Sequence, residues 1–225
     1  MSYSYYEVYT NAQRAFSGLG FPYGADEDAA YIISWLEAFN FDGIKLLSSL
    51  YPKLDNNFRG SFSNNNLTKQ FDLQHQSCLM IGPGLVDFLC FQTNIKKEIQ
   101  IEIKNCVDPV FLIPLLYRTI KKNVFSKIIR EEKLLTIVGK NNYFVHKDIS
   151  ENKTANFSIM LSKKEFKISD VKNSTNFNIL NKSLSNGLNP NQSGWKIVSD
   201  LAFRTYVPES EESREKGAGG GDAND

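Results

Sequence analysis

The stretch EIQIEIK, residues 98–104, alternates charged or polar side chains with isoleucine. Because successive side chains of a strand point to opposite faces of its sheet, this alternation predicts a strand with one buried and one solvated face. Shorter stretches rich in apolar residues predict further strands at 124–129, 133–138, 143–146 and 156–161. The sequence Gly139–Asn142 has the composition of a hairpin connection. The middle of the chain is therefore expected to form a mostly antiparallel β-region.

Three helices are predicted in front of this β-region. Ser4 and Glu7 have the spacing of a capping box, and the apolar residues behind them recur at helical intervals. The acidic residues 26–28 place negative charge at the start of a second helix, where the helix dipole favours it. A third, short helix is predicted after Gly43. We expect residues 1–51 to form a helical unit that docks on the remainder, because its own core is small.

Residues 52–77 contain much Asn, Ser and Gln and little periodicity, which predicts a polar surface connection. Residues 78–205 predict the α+β core. Within it, a strand from Cys78 is expected to turn at residues 82–84, and a helix is expected to start near Pro83.

Two more helices are predicted within the core. A helix over residues 109–122 is expected to kink at Pro114, which removes a backbone donor. A second helix is predicted around 192–205, before an acidic, glycine-rich segment at 206–225. The fold class is therefore α+β: an N-terminal helical unit docked on a central, mostly antiparallel β-region, with a C-terminal helix and a glycine-rich end.

Composition excludes several classes of protein. The chain has 225 residues, with 26 Lys and Arg against 25 Asp and Glu, so no global charge attracts nucleic acid or anionic lipid. It lacks a run of about 18 apolar residues and a secretory signal, which predicts a soluble, cytoplasmic protein without a membrane span. Its three cysteines, Cys78, Cys90 and Cys106, lie in apolar stretches and are expected to be small buried hydrophobic residues in a reducing compartment.

Common catalytic and cofactor patterns are absent from the sequence. The two histidines, His75 and His146, are expected to be structural or solvent-exposed, and no third ligand completes a zinc motif. The glycines at 82 and 84 fail as a dinucleotide loop, because Asp87 occupies the position of the third glycine and would repel a pyrophosphate. We therefore expect neither a metal nor a cofactor.

Two groups of residues remain as candidates for a site. In the first, Tyr23 and Trp35 frame a pocket; alternatively, Trp35 belongs to the core and Glu37 is solvated. The second is RTYVPESEESR, residues 204–214, which concentrates arginines, a phenol, hydroxyls and carboxylates. An arginine there suits a carboxylate ligand, but the carboxylates of this stretch could equally cap a short terminal helix.

At these same places the chain resembles a bacterial family known as domain of unknown function 3726. At the front, the resemblance rests on GLGFPYG at 18–24, DEDAA at 26–30, WLEA at 35–38 and DG at 42–43. At the back, it rests on RTYVP at 204–208, SE at 210–211, SR at 213–214 and GAG at 217–219, with Asp222 and Asp225. The stretch GPGLVD at 82–87 also fits. The family has no assigned activity, so the resemblance implies none; it implies that the glycine-rich end belongs to the native protein.

The first functional hypothesis is a protein of small-molecule metabolism that binds an anionic or amino-acid-like ligand. Arg204 and Arg214 would bind a carboxylate, while Tyr206, Ser213 and Asp87 would orient the ligand or transfer protons. Whether a reaction is catalysed stays open.

The alternative is an accessory or assembly protein whose C-terminal segment inserts into a partner subunit, either a second copy of this chain or an enzyme encoded nearby. Nucleic acid is not expected as a partner under either hypothesis.

Overall fold

The alternating stretch lies in the longest described strand of a seven-stranded sheet. The computed structural model describes residues 2–60, 70–151, 154–167 and 174–206. The strands are β1 (Gln70–Asp72), β2 (Glu98–Val107), β3 (Phe125–Arg130), β4 (Lys133–Val138), β5 (Asn142–Val145), β6 (Thr154–Ser162) and β7 (Thr175–Asn176). The α-helices are α1 (Tyr5–Gly18), α2 (Ala25–Ala38), α3 (Gly43–Leu54), α4 (Cys78–Lys96), α5 (Leu112–Thr119), α6 (Lys147–Glu151), α7 (Asn178–Asn186) and α8 (Gln192–Phe203). Short 3-10 helices at Pro109–Phe111 and Ile120–Lys122 flank α5.

The sheet has the strand order β1-β2-β6-β3-β4-β5-β7. Only β1 and β2 pair in parallel; the other described pairs are antiparallel. Ile99 and Ile103 of β2 are buried, whereas Gln100 and Glu102 are exposed. The alternation in sequence therefore sets which face of β2 is buried, and the predicted α+β class is confirmed.

The helices pack partly on the sheet and partly on one another. Helix α4 contacts β2 and β6, and α5 contacts β3 and β4. Helix α2 joins the two groups, because it contacts α4 and α5 as well as α1 and α3. The C-terminal helix α8 packs on both α1 and α3. The helices from both ends of the chain therefore share one hydrophobic core.

The predicted capping box starts α1. The backbone N–H of Glu7 donates to Ser4 Oγ at 3.2 Å, and the N–H of Ser4 donates to Glu7 Oε2 at 2.7 Å. At the other end of α1, Gly18 lies so close to α8 that a Cβ atom would be 2.3 Å from the carbonyl oxygen of Leu201. Glycine at this position lets the two helices approach each other.

The predicted strand and turn at residues 78–84 are wrong. A single helix, α4, begins at Cys78, is capped by Ser77 and continues through Pro83. Gly82 packs tightly on α5, since a Cβ there would be 2.9 Å from Leu115 Cδ1. The free energy gained by burying one face of the helix therefore outweighs the turn preference of Gly-Pro-Gly and the loss of the backbone hydrogen bond that proline cannot donate.

Helix α4 is also long and apolar enough to cross a membrane. Its most apolar window of 18 residues has a mean hydropathy of 1.3, but half of that window is buried inside the fold. A core helix can pass the same test of length and composition.

The helix predicted over residues 109–122 forms as α5 with a 3-10 helix at either end. Pro114 is the third residue of α5. Its missing N–H is one of the four at the helix start that have no partner within the helix, so the expected disruption does not follow. The polar sequence before α8 contains a helix, α7, that the residue pattern did not indicate.

Candidate functional site

Arg204 and Tyr206 lie at the end of α8, and both have partners within the chain. Arg204 Nη1 donates to both carboxylate oxygens of Asp55 at 2.9 Å. Arg14 Nη1 donates to the hydroxyl of Tyr206 at 2.5 Å, and its guanidinium carbon is 5.4 Å from the centre of that ring. These contacts tie the end of α8 to α1 and to the residue that follows α3.

Of the other three residues proposed for the site, only Asp87 lies within the described residues, and no described contact brings it to Arg204. Asp87 is exposed on α4 and forms an ion pair of 3.5 Å with Lys122, which follows α5. Ser213 and Arg214 lie outside the described residues, as do the residues after Tyr206 in general. Of the predicted site residues that the structure describes, Arg204 and Tyr206 therefore lie together at the end of α8, whereas Asp87 lies on α4.

The two aromatic residues of the first group, Tyr23 and Trp35, lie in different surroundings. The Trp35 side chain is 2% exposed and stacks on Phe39, with ring centres 3.9 Å apart. Tyr23, by contrast, is 99% exposed. These two residues therefore do not frame a shared pocket, and the core interpretation of Trp35 is correct. Glu37, expected in solvent under that interpretation, is buried instead.

The acidic start of α2 has a structural role. Asp26 is buried, and its Oδ1 accepts hydrogen bonds of 2.9 Å from the backbone N–H groups of Gly24 and Glu27. Its Oδ2 accepts a hydrogen bond of 2.8 Å from Ser17 Oγ. The carboxylate thus fixes the turn between α1 and α2, and its hydrogen-bonding capacity is used within the protein.

The two histidines, His75 and His146, lie in different parts of the structure. His75 is exposed in the turn before α4. His146 Nδ1 lies 3.2 Å from Asp148 Oδ1, in a cluster where Asp148 also contacts Arg130 at 3.0 Å and Lys133 at 2.7 Å. The hydrogen bond from Lys133 lowers the pKa of Asp148 more than any other contact does. Within the described part of the chain, no group of three or more His, Cys, Asp or Glu side chains is arranged to hold a metal ion.

A surface pocket of about 530 Å³ lies between the N-terminal segment and the start of α8. Two backbone hydrogen bonds place these segments together: Tyr3 N–H donates to the Leu188 carbonyl at 2.8 Å, and Leu188 N–H donates to that of Tyr3 at 2.7 Å. The rings of Tyr3 and Trp195 then pack with their centres 4.1 Å apart. The pocket is completed by Asn189, Pro190, Asn191, Gln192 and Lys196; we call it the α8 pocket.

Asn191 has a second role, as the cap of α8. Its Oδ1 accepts hydrogen bonds from the backbone N–H of Gly194 at 2.9 Å and from Ser193 Oγ at 2.6 Å. The cap fixes the first turn of α8 and therefore the positions of Trp195 and Lys196 beside the pocket. Sequence reasoning missed this site because Tyr3 is nearly 200 residues from Trp195 and neither residue lies in a recognisable motif.

The residues that line the α8 pocket suit binding better than acid-base chemistry. They provide two aromatic rings, three side-chain amides and one ammonium group. Among the described lining residues there is no carboxylate, histidine or cysteine. Amides and an ammonium can hold a carboxylate or a phosphate, while the rings offer apolar contact area.

Comparisons with known proteins find a match to a family model over part of the chain. Residues 3–76, about a third of the chain, match the family described as "Protein of unknown function (DUF3726)". The resemblance to domain of unknown function 3726 is therefore confirmed over these residues, which include α1, α2, α3 and β1. No curated protein and no solved structure matches the chain.

Proposed function

We propose that the protein binds a small anionic or amino-acid-like ligand, and that the α8 pocket is its binding site. The observation that carries this proposal is the pocket itself. Its volume, about 530 Å³, lies within the range of about 300–1,000 Å³ that is usual for small-molecule sites. This function belongs to small-molecule metabolism, and the α8 pocket supports binding without implying a reaction.

The charge of the ligand follows from Lys196. Its ammonium is the one formally charged group among the described residues that line the pocket, so an anionic group is the complementary ligand. The amides of Asn189 and Gln192 can donate to the same anion or accept from an ammonium group of the ligand. A carboxylate next to an amine, as in an amino acid, would use both properties.

Arg204 and Tyr206 offer a second position for the anion. A carboxylate bound by Arg204 would replace Asp55, whose two oxygens occupy the guanidinium in the described structure. In this arrangement Ser213 and Arg214, which lie outside the described residues, remain candidate contacts, whereas Asp87 pairs with Lys122 and no described contact brings it to Arg204. Variants at Lys196 and Arg204 therefore distinguish the two locations.

A thermal-shift screen against amino acids, dicarboxylates and phosphorylated metabolites tests the proposal. At a ligand concentration of about 100 times Kd, a binder stabilises the folded state by about 2.7 kcal/mol. For a chain of this size, that corresponds to a rise in Tm of roughly 5–10 °C. Lys196→Gln should abolish the rise, whereas Lys182→Gln, at an exposed lysine of α7, should preserve it.

Two results would contradict the proposed site. If no compound in the panel raises Tm, the ligand hypothesis loses its support. If the rise persists in Lys196→Gln and disappears in Arg204→Ala, the ligand binds at the end of α8 instead. Circular dichroism spectra of each variant should match the wild type, so that loss of binding is not loss of fold.

The exposed aromatic residues at the end of α8 favour a second candidate, assembly with a partner subunit. Phe203 is 71% exposed and Tyr206 is 52% exposed, and their ring centres are 5.3 Å apart. Exposed aromatic residues are enriched at protein interfaces. Tyr206 is the first residue of the segment 206–225, which is the segment proposed to insert into a partner, and Phe203 lies three residues before it.

Truncation after Val207 separates the two functions. Loss of oligomer mass in sedimentation, with ligand binding intact, supports assembly. Loss of ligand binding without a change in mass supports a site that includes the C-terminal segment. Phe203→Ser in the full chain provides a matched test, since it removes an exposed ring and leaves the segment present.

A further inference from the structure

Cys78 and Cys106 form a close pair of thiols inside the protein. Their sulfur atoms are 3.0 Å apart, about 1 Å more than the length of a bonded disulfide. Both residues are free cysteines and are fully buried. No local pattern in the sequence indicates this pair, because the rest of α4 and most of β2 separate the two residues.

The backbone holds the two cysteines side by side. Cys78 is the first residue of α4, and Cys106 is the last residue but one of β2. The segment before α4 runs beside the end of β2: His75 N–H donates to the Asn105 carbonyl at 3.1 Å, and Val107 N–H donates to the Gln76 carbonyl at 3.3 Å. The approach of the sulfur atoms therefore follows from backbone pairing.

An irregularity in β2 turns Cys106 inward. Ile103 and Cys106 are both fully buried, although they are three positions apart and would point to opposite faces of a regular strand. The pairing of β2 with β6 shifts register between these two residues. This bulge re-aims the Cys106 side chain toward the start of α4.

We propose that Cys78 and Cys106 are a site of disulfide formation, which cross-links the start of α4 to the end of β2. With a small-molecule disulfide as the oxidant, one protein thiolate attacks a sulfur of the oxidant and releases one small-molecule thiol. The second protein thiolate then attacks the protein sulfur of this mixed disulfide and releases the other small-molecule thiol. The two protein thiols thus lose two electrons and two protons, which the oxidant takes up as it becomes two thiols.

Burial controls the rate of this reaction. Desolvation and the neighbouring Cys106 raise the pKa of Cys78 well above its ordinary value, so little thiolate exists at neutral pH. Neither sulfur is accessible to an oxidant in the closed structure. Oxidation therefore requires opening of the first turn of α4, and closure afterwards favours the internal disulfide, because a mixed disulfide is too bulky for the core.

Peptide mapping after oxidation tests the proposal. The full chain is incubated with oxidised glutathione in buffer with and without a sub-denaturing concentration of urea. Remaining thiols are alkylated, and the protein is digested without reduction. We expect a linked pair of peptides containing Cys78 and Cys106, two hydrogens lighter than the sum of the separate peptides, with Cys90 alkylated. Urea should speed its formation several-fold, since it populates the open state.

The melting temperature gives a second readout. A cross-link that closes a loop of this size should raise Tm by roughly 5–10 °C, and reduction should reverse the rise. Cys90→Ala should leave the linked peptides unchanged, and Cys106→Ala should abolish them. If Cys106→Ala does not fold, the wild-type map decides alone. Alkylation of both Cys78 and Cys106 after prolonged oxidation in urea, or a lower Tm of the oxidised protein, would overturn the proposal.

Discussion

The side chain of Glu37, in the last turn of α2, accepts a hydrogen bond of 2.9 Å from the backbone N–H of Ile44, in the first turn of α3. The residue that precedes α3, Asp42, makes no side-chain capping bond, so the preceding helix provides the cap. Burial raises the pKa of Glu37, while the bond from Ile44 acts in the opposite direction. Glu37 therefore connects two helices at the cost of burying a carboxylate.

The raised pKa of Glu37 predicts a pH-dependent effect of Glu37→Gln. In the wild type, the contribution of Glu37 to stability is fully present below its ordinary pKa of 4.5. This contribution is lost as the pH rises through the higher pKa of the folded state. Glutamine stays neutral and can still accept the hydrogen bond. The free energy of unfolding of the variant, relative to wild type, should therefore increase as the pH rises from about 4 to 7. Urea unfolding at a series of pH values measures this difference, and a constant difference would contradict the prediction.

Two glycines at helix contacts should differ in their tolerance of alanine. At Gly18, a Cβ would meet the Leu201 carbonyl oxygen at 2.3 Å, so α1 and α8 must separate. We expect Gly18→Ala to lower the free energy of unfolding by roughly 1–3 kcal/mol. At Gly194 the nearest atom is Ser48 Oγ, 3.1 Å away at the end of a side chain that can rotate. Gly194→Ala should cost less, and equal losses in urea unfolding would contradict the comparison.

The ion pair between Arg118 and Asp28 should contribute measurably to stability. Arg118 Nη1 is 2.6 Å from Asp28 Oδ1, and each side chain is about one third exposed. We expect Arg118→Ala to lower the free energy of unfolding by about 1 kcal/mol, and the loss should shrink in 1 M salt. The exposed pair of Lys45 and Asp42, at 3.9 Å, provides the control. Lys45→Ala should change stability by less than about 0.5 kcal/mol.

Tyr143 should ionise late in an alkaline titration. Burial raises its pKa to about 12, although a hydrogen bond with Thr175 lowers it somewhat. Its contribution to stability is therefore present below pH 10 and is lost as the pH rises toward 12. The difference in absorbance at 295 nm between the wild type and Tyr143→Phe should develop near pH 12. A difference that develops near pH 10 would show that this phenol is accessible to solvent.

The sequence predicted those elements whose signal is local. The strict alternation at residues 98–104 and the spacing of Ser4 and Glu7 each involve neighbours in the chain, and both predictions are confirmed. The prediction of a strand and a turn at residues 78–84 is wrong, because the helical state of this stretch depends on packing. Gly82 packs against Leu115 of α5. This contact cannot be predicted from the Gly-Pro-Gly stretch alone.

The candidate site was less predictable, for the same reason. The α8 pocket requires the backbone of Tyr3 to pair with that of Leu188 and the ring of Tyr3 to pack against that of Trp195. Each of these contacts joins opposite ends of the chain, so no window of sequence holds both partners. The sequence indicates Arg204 as a candidate binding residue. It does not indicate that Asp55 is its partner, since nothing in the sequence places the end of α3 beside the end of α8.

The packing of α8 on α1 has a consequence for synthesis of the protein. Helix α1 ends at Gly18, whereas the helix that covers it ends at Phe203. At about 5–20 residues per second, roughly 10–40 s pass between the translation of these two positions. During that interval the face of α1 that α8 covers has no native partner, so the nascent chain exposes apolar surface that the folded protein buries.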